Sequence, residues 1–168
     1  MVKIGLLSDT HSWLDPDLLP HFESCSEIWH AGDIGNMEVL ESLEATGKTI
    51  RAVYGNIDGA KLRSELPLDN RFVLEGLDVW ITHIGGYPGR YQARVREVLN
   101  TNPPGLFICG HSHILKVMFD KKYSLLHINP GACGIHGFHH MRTAIRFGIE
   151  AGQVKDLEVI ELGLRGKM

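Results

Sequence analysis

Seven side chains with the chemistry of metal ligands follow apolar segments of this 168-residue sequence. Two are carboxylates, one is an amide and four are imidazoles: Asp9, Asp33, Asn56, His11, His83, His111 and His113. Imidazole and carboxylate oxygen together favour borderline first-row ions, and no cluster of cysteines suggests a thiolate site. We therefore predict divalent transition-metal ions as cofactors, manganese first, with iron, zinc, nickel or cobalt as alternatives.

Two ions held side by side need one ligand that touches both, and a carboxylate has two oxygens for this. We expect Asp33 to be that bridge. Asn56 would add a neutral oxygen, which keeps the net positive charge of the site high and so favours binding of a phosphate group. The ligand set thus predicts a site for anionic substrates.

The residues before these side chains have the pattern of strands buried on both faces. Residues 2–8 form a nearly continuous apolar run that ends at Asp9, and 27–31 and 49–54 lead in the same way to Asp33 and Asn56. Further strands are predicted at 71–74, 77–82, 106–109, 116–119, 124–128, 143–149 and 154–160, and helices at 16–24, 37–45 and 91–99. This order indicates one α/β domain over residues 1–168, with a mixed sheet or two packed sheets, and ligands of such folds bind beyond the strands' carboxyl ends.

Composition excludes several classes of protein. Hydrophobic residues make up 43% of the chain, charged residues 22%, and the net charge is -3, so no basic excess favours nucleic acid as a partner. No apolar segment approaches the ~20 residues of a membrane span. The three cysteines are far apart, which suits reduced thiols in a cytoplasmic protein.

The order of these residues resembles the calcineurin-like metallophosphoesterase superfamily, whose blocks read Asp-x-His, Gly-Asp, Gly-Asn, His and Gly-His-x-His. The matching blocks here are Asp9-Thr10-His11, Gly32-Asp33, Gly55-Asn56, His83 and Gly110-His111-Ser112-His113. The resemblance covers about residues 1–135, and Asn129-Pro130-Gly131 is similar to a turn of the small, uncapped bacterial and archaeal phosphodiesterase branch. That branch also resembles a retromer scaffold subunit.

The resemblance implies a four-layer α/β/β/α sandwich with two mixed sheets. It implies that Asp9, His11, Asp33 and His113 hold one ion, whereas Asp33, Asn56, His83 and His111 hold the other. The catalytic residues are then metal-site residues, Asp33, Asn56 and His83, and a metal-bridging hydroxide attacks a small phosphate ester. A protein-binding scaffold and a nuclease of the same superfamily are the alternatives. Relatives often form dimers or tetramers, so a homo-oligomer is compatible with the sequence.

The sequence departs from the family at Ile57, where many members have a histidine that assists the leaving group. Without it we expect activity that depends on an easily departing group, because general acid catalysis typically contributes ~10²–10⁴ in rate. Asp58 and His11 are conceivable substitutes, although a turn residue is the simpler interpretation of Asp58. His83 precedes Ile84, where the family more often has glycine, so its loop is expected to differ.

Other polar and aromatic residues have ordinary structural interpretations beside functional ones. Histidines near the predicted site could contact substrate or support ligands, or could be core or exposed residues: His30, His136, His139 and His140. No spacing distinguishes one phosphate-binding arginine among Arg63, Arg90 and Arg142. Trp13 could line the pocket or pack in the core, and Cys109 and Cys133 are expected to be small buried residues.

Overall fold

The computed structural model describes residues 1–166, which form two five-stranded sheets and a two-stranded hairpin. The strands are β1 (Val2–Leu7), β2 (Glu27–His30), β3 (Thr49–Ala52), β4 (Asp69–Leu74), β5 (Leu77–Thr82), β6 (Gly86–Tyr87), β7 (Arg90–Tyr91), β8 (Leu106–Ile108), β9 (Leu115–Asp120), β10 (Leu125–Pro130), β11 (Met141–Glu150) and β12 (Gln153–Leu164). The helices are α1 (Met37–Glu44), α2 (Ala60–Glu65) and α3 (Ala93–Thr101), with a 3₁₀ turn at Leu19–Phe22.

Both large sheets are mixed, with parallel strands at the centre. The first has the order β12-β11-β1-β2-β3 and the second β4-β5-β8-β10-β9. In the first, Leu7 pairs with His30 and His30 with Ala52, so three parallel strands end level. In the second, Ile108 pairs with Ile81 and with Ile128. The loops that follow these strands therefore meet at one edge of the molecule.

The main hydrophobic core lies between the sheets. Ile4, Leu6 and Phe147 of the first sheet pack against Val79 and Ile108 of the second. Each large apolar side chain fully buried there contributes roughly 1.5–3 kcal/mol. Apolar residues of α1 and the 3₁₀ turn cover the outer face of the first sheet, and those of α3 cover the second. The predicted fold of two mixed sheets in a layered α/β sandwich is confirmed.

Three local predictions need correction. The helix predicted over residues 16–24 is a turn with a short 3₁₀ segment, since Pro20 cannot donate the hydrogen bond of a continuing helix. The helix predicted from Tyr91 begins at Ala93 because Tyr91 pairs with Gly86 in the hairpin. No helix is predicted between the strands at 49–54 and 71–74, but this segment contains α2, whose single buried residue, Leu62, gave no periodic signal. Within residues 1–166, no helix is long and apolar enough to span a membrane.

Candidate metal centre

Five of the seven candidate ligands have a left-handed backbone. The φ angles are 55° at Asp9 and Asp33, 46° at His11, 71° at His111 and 63° at His113. A left-handed conformation costs ~1–2 kcal/mol in a residue with a Cβ atom, and it persists only where surrounding contacts fix it. Each strand therefore ends in an abrupt turn that directs a polar side chain towards the same point.

Two glycines allow these loops to approach one another closely. A Cβ atom at Gly55 would overlap the Asp33 carboxylate and its backbone nitrogen. A Cβ atom at Gly110 would overlap the hydroxyl of Ser8 and crowd the carboxylate of Asp9. The glycines of the Gly-Asn and Gly-His-x-His blocks are thus required, because the neighbouring loops lie too close together to leave room for a Cβ atom.

Asp9, His11 and His113 form the first group of candidate ligands. Asp9 Oδ1 lies 3.2 Å from His113 Nε2 and 3.7 Å from His11 Nε2. Two ligands bound to one zinc-sized ion at tetrahedral angles lie about 3.4 Å apart. The spacing is therefore that of atoms able to share one ion.

Asp33, His83 and His111 form the second group. Asp33 Oδ2 lies 3.2 Å from His83 Nε2, and His111 Nδ1 lies 3.0 Å from Asn56 Oδ1. His83 Nδ1 is 2.7 Å from the carbonyl oxygen of Ala31 and donates to it, so Nε2, which faces Asp33, is the nitrogen left to bind a metal ion. The altered sequence after His83 does not remove this side chain from the site.

The oxygen Asp33 Oδ2 lies between the two groups. It is 3.2 Å from His83 Nε2 in its own group and 3.4 Å from His11 Nε2 in the other. The second oxygen, Oδ1, accepts a hydrogen bond from the backbone nitrogen of Ile57 at 3.1 Å, which fixes the carboxylate. This position is the one that a bridging ligand requires.

Several polar atoms at this point are buried and have no hydrogen-bond partner. They are Asp9 Oδ1, His11 Nε2 and His83 Nε2. Buried polar atoms are almost always paired, because desolvation without a partner costs ~1–3 kcal/mol each. The three atoms converge and have metal-ligand chemistry, so the residues fit a metal ion.

The carboxylates and imidazoles perturb each other's proton affinity. Burial would raise the pKa of Asp9 and Asp33, but the surrounding histidines, His11 foremost, hold both pKa values well below their usual range. The nearby carboxylates of Asp33 and Asp9 raise the pKa of His11 to about 9. Burial opposes charge on His83, yet Asp33 and Asp9 keep its pKa above the ordinary value. The two buried carboxylates thus require positive charge beside them.

A surrounding layer of polar residues orients the candidate ligands. Ser8 donates to Asp9 Oδ2 at 2.6 Å. Asn129 donates to the carbonyl of Gly110 and to the Ser112 hydroxyl, both at 3.0 Å, and so braces the loop between His111 and His113. The turn at residues 129–131 therefore supports the site, a role that its sequence did not indicate.

His30 is buried and its protonation is fixed by its partners. Its Nδ1 accepts from the backbone nitrogen of Gly32 at 3.1 Å, which leaves the proton on Nε2, 3.0 Å from the Thr10 hydroxyl. Burial lowers the pKa of His30 to about 4. The neutral ring therefore connects the loops of Asp9 and Asp33, which agrees with the supporting role considered from sequence.

Asp58, considered from the sequence as a turn residue or a substitute acid, has a structural role. Its side chain is buried and accepts backbone hydrogen bonds from Gly55 at 2.7 Å, Gly35 at 2.8 Å and Ile34 at 3.2 Å. These bonds tie the loop after β2 to the loop after β3. A carboxylate satisfied by three backbone donors suits this role better than that of an acid.

The remaining candidate residues separate into buried and exposed positions. Arg142 is buried in an ion pair with Asp15, so the structure contradicts its candidate role as a phosphate-binding residue. Burial raises the pKa of Cys109 and Cys133 to about 12, which disfavours both thiols as nucleophiles. Arg90 is exposed on β7.

The histidines of the loop after β10 differ among themselves. The His136 ring lies 5.2 Å from that of His11, and His139 is buried with its ring 5.1 Å from that of His113. His140 is exposed. Two of the three residues therefore adjoin candidate ligands, which agrees with the position near the site considered from the sequence.

Two open clefts flank the candidate ligands. One, of about 360 Å³, begins at Asn56 and His83, and the other, of about 440 Å³, is lined by His11, Trp13 and Ile57 together with His136. Trp13 lines this second cleft and also packs against Arg142. The site thus has an opening on each side.

The layered α/β fold and the two carboxylate–imidazole groups at the strand ends define a class of proteins with a candidate metal site at one edge of the molecule, where strands of both sheets end. The chain belongs to the calcineurin-like phosphoesterase superfamily, because the domain model of that family matches residues 2–152. The resemblance predicted from the sequence blocks is confirmed.

Individual relatives agree with this assignment. A phosphodiesterase of Methanocaldococcus jannaschii is 28% identical over 152 residues, 79% of this chain and 84% of the relative. The solved structure of an archaeal phosphodiesterase is 25% identical, with a TM-score of 0.72 over 96% of this chain and all (100%) of that one. Vps29 of Entamoeba histolytica in complex with zinc is 13% identical, has a TM-score of 0.72 over 95% and 99% of the two chains, and supports the fold alone.

Proposed function

We propose that this chain is a metal-dependent phosphodiesterase of small phosphate esters and that the seven residues predicted from sequence are its metal ligands. The position of Asp33 Oδ2 between His11 and His83 is the observation that carries the proposal. The relatives described as phosphodiesterases support the substrate class. A scaffold role is less well supported, since scaffolding alone does not require buried polar atoms without partners.

Each residue of the site has a defined task in this proposal. Asp9, His11 and His113 would hold one divalent ion, and Asn56, His83 and His111 the other, with Asp33 between them. Two such ions supply Lewis-acid charge to the phosphoryl oxygens and lower the pKa of a water molecule. Ala31 keeps the lone pair of His83 on Nε2, and Asn129 holds the His111–His113 loop, so the ligands are oriented before substrate binds.

Metal titration combined with a substrate pair tests this function. Chelator-treated protein should take up two manganese ions per chain and become more stable, by ~2.7 kcal/mol at 100 times Kd for a single site. The loaded protein should hydrolyse bis(p-nitrophenyl) phosphate faster than p-nitrophenyl phosphate. Absence of metal uptake, or uptake without hydrolysis of either ester, would contradict the proposal.

The Ile57→His variant tests whether a missing proton donor limits the rate. Ile57 is 45% exposed and lines the cleft beside His11, so a histidine can be placed there without disturbing the core. We expect hydrolysis of esters with poor leaving groups to rise about tenfold. This is less than the ~10²–10⁴ of a well-oriented general acid, because nothing orients the new ring. Ile57→Gln is the matched polar control, and an equal rise in both variants would contradict the proton-donor explanation.

A further inference from the structure

The cleft that begins at Asn56 and His83 has a composition distinct from that of the metal centre. Its walls include the apolar side chains of Tyr54, Leu68 and Ile84, and polar groups enter it from Arg63 and Gln92. Its volume of about 360 Å³ lies within the range of small-molecule sites. The cleft is therefore large enough for one organic group of a phosphate ester.

Arg63 is held rigidly at the rim of this cleft. Its Nε donates to the carbonyl of Asp58 at 2.6 Å and its Nη2 to the carbonyl of Asn56 at 3.2 Å. The guanidinium also lies over the Tyr54 ring, 4.8 Å from the centroid. Two of its five N–H donors are thereby used, and the others remain for a ligand. A planar, preorganised cation thus adjoins the backbone of a candidate metal ligand.

Arg63 and Arg94, the second arginine of the cleft, differ in whether a carboxylate neutralises the charge of the side chain. Arg94 binds both oxygens of Asp69, at 2.9 and 2.8 Å, and also donates to Thr82 at 2.7 Å. No carboxylate of residues 1–166 forms an ion pair with Arg63. The charge of Arg94 is thus used within the fold, whereas that of Arg63 is available to a ligand.

We infer that this cleft binds the nucleoside group of a phosphodiester, an inference that rests on the proposed function. The Tyr54 ring and the Arg63 guanidinium over it offer planar groups on which a nucleobase can stack, and Leu68 and Ile84 add apolar surface to the same cleft. Gln92 is exposed and supplies both a donor and an acceptor for the polar edge of the base. An alkyl ester would leave these planar and polar groups unused.

Two chromogenic diesters with the same leaving group test the inference. Thymidine 5′-(p-nitrophenyl phosphate) and ethyl p-nitrophenyl phosphate share the metal centre and differ in the group that enters the cleft. In the manganese-loaded protein we expect kcat/KM for the nucleoside ester to be higher by roughly 10- to 100-fold, mainly through KM, as base stacking allows. Tyr54→Leu and Arg63→Ala should each reduce this ratio to within about threefold of one.

The ratio of the two kcat/KM values reports on recognition of the nucleoside group, because damage to the metal centre would slow hydrolysis of both esters alike. Arg96→Ala, at an exposed position of α3, and Tyr87→Leu, in the hairpin outside the cleft, are the matched controls and should keep the wild-type ratio. A wild-type ratio near one would overturn the inference, as would a preference that Tyr54→Leu and Arg63→Ala both leave unchanged.

A binding measurement keeps the inference independent of turnover. Metal-free protein is titrated with adenosine 5′-monophosphate and with ribose 5-phosphate while backbone amide signals are followed by NMR. We expect tighter binding of the nucleotide, shifts at Tyr54 and Gln92, and loss of the difference in Arg63→Ala. Equal affinities would overturn the inference even if both diesters were hydrolysed. Preference for the nucleotide without hydrolysis of any ester would support the cleft assignment and contradict the proposed function.

Discussion

Asp33→Ala is expected to remove at least one metal ion and to reduce hydrolysis of bis(p-nitrophenyl) phosphate by about 10³-fold or more. The reason is the position of Asp33 Oδ2, 3.2 Å from His83 Nε2 and 3.4 Å from His11 Nε2, where one oxygen serves both groups. Elemental analysis of the purified variant and its initial rates measure the two effects. Retained activity would overturn the choice of Asp33 as the bridge.

Two further variants separate this effect from a change in folding. Asp33 has a φ of 55°, a conformation that asparagine tolerates better than alanine, so Asp33→Asn preserves the turn while it removes the negative charge. Asp17→Ala removes an exposed carboxylate. This variant should bind both ions and hydrolyse the ester at the wild-type rate. Loss of metal in Asp33→Asn but not in Asp17→Ala attributes the effect to the bridging carboxylate.

Asp58→Ala is expected to lower the free energy of unfolding of the metal-free protein by about 3–6 kcal/mol. Three backbone N–H groups, those of Ile34, Gly35 and Gly55, would lose their acceptor, and each unpaired buried donor costs ~1–3 kcal/mol. Urea denaturation measures the loss. Asp58→Asn retains one acceptor oxygen and should lose about half as much.

Asp78→Ala is the contrasting control for Asp58. Asp78 pairs with Arg71 at 2.8 Å and its side chain is 39% exposed, so its removal should cost less than ~1 kcal/mol. If Asp58→Ala keeps wild-type stability but loses activity, the carboxylate takes part in the chemistry, and the interpretation of Asp58 as a proton donor would replace the structural one.

The sequence was sufficient to predict the strands that carry the site. Residues 2–8 form a nearly continuous apolar run that leads to Asp9, and a parallel strand buried on both faces has that pattern. The shorter segment 27–31 leads to Gly32-Asp33. Because parallel strands of one sheet end level, Asp9 and Asp33 could be expected at one edge. His113 follows a strand of the other sheet, so its position beside Asp9 depends on how the two sheets pack. Their function as metal ligands remains a proposal.

The supporting interactions could not be predicted because they depend on contacts between distant segments. Asp58 follows Gly-Asn-Ile and has the local pattern of a turn residue, whereas its partners Ile34 and Gly35 belong to another loop. Arg142 looked like any surface arginine, and only the packing of β11 against the loop of Asp15 reveals its burial. Side-chain burial and backbone donors that converge from separate loops leave no periodic signal in a sequence.

The ligand-bearing loops come from both sheets, and this gives bound metal a mechanical consequence. Asp9, Asp33 and Asn56 follow strands of the first sheet, whereas His83, His111 and His113 follow strands of the second. Ions held between them would act as a reversible cross-link between the two halves of the sandwich at one end only. In the metal-loaded protein, local separation of the two sheets would then begin at the end of the sandwich opposite the metal site.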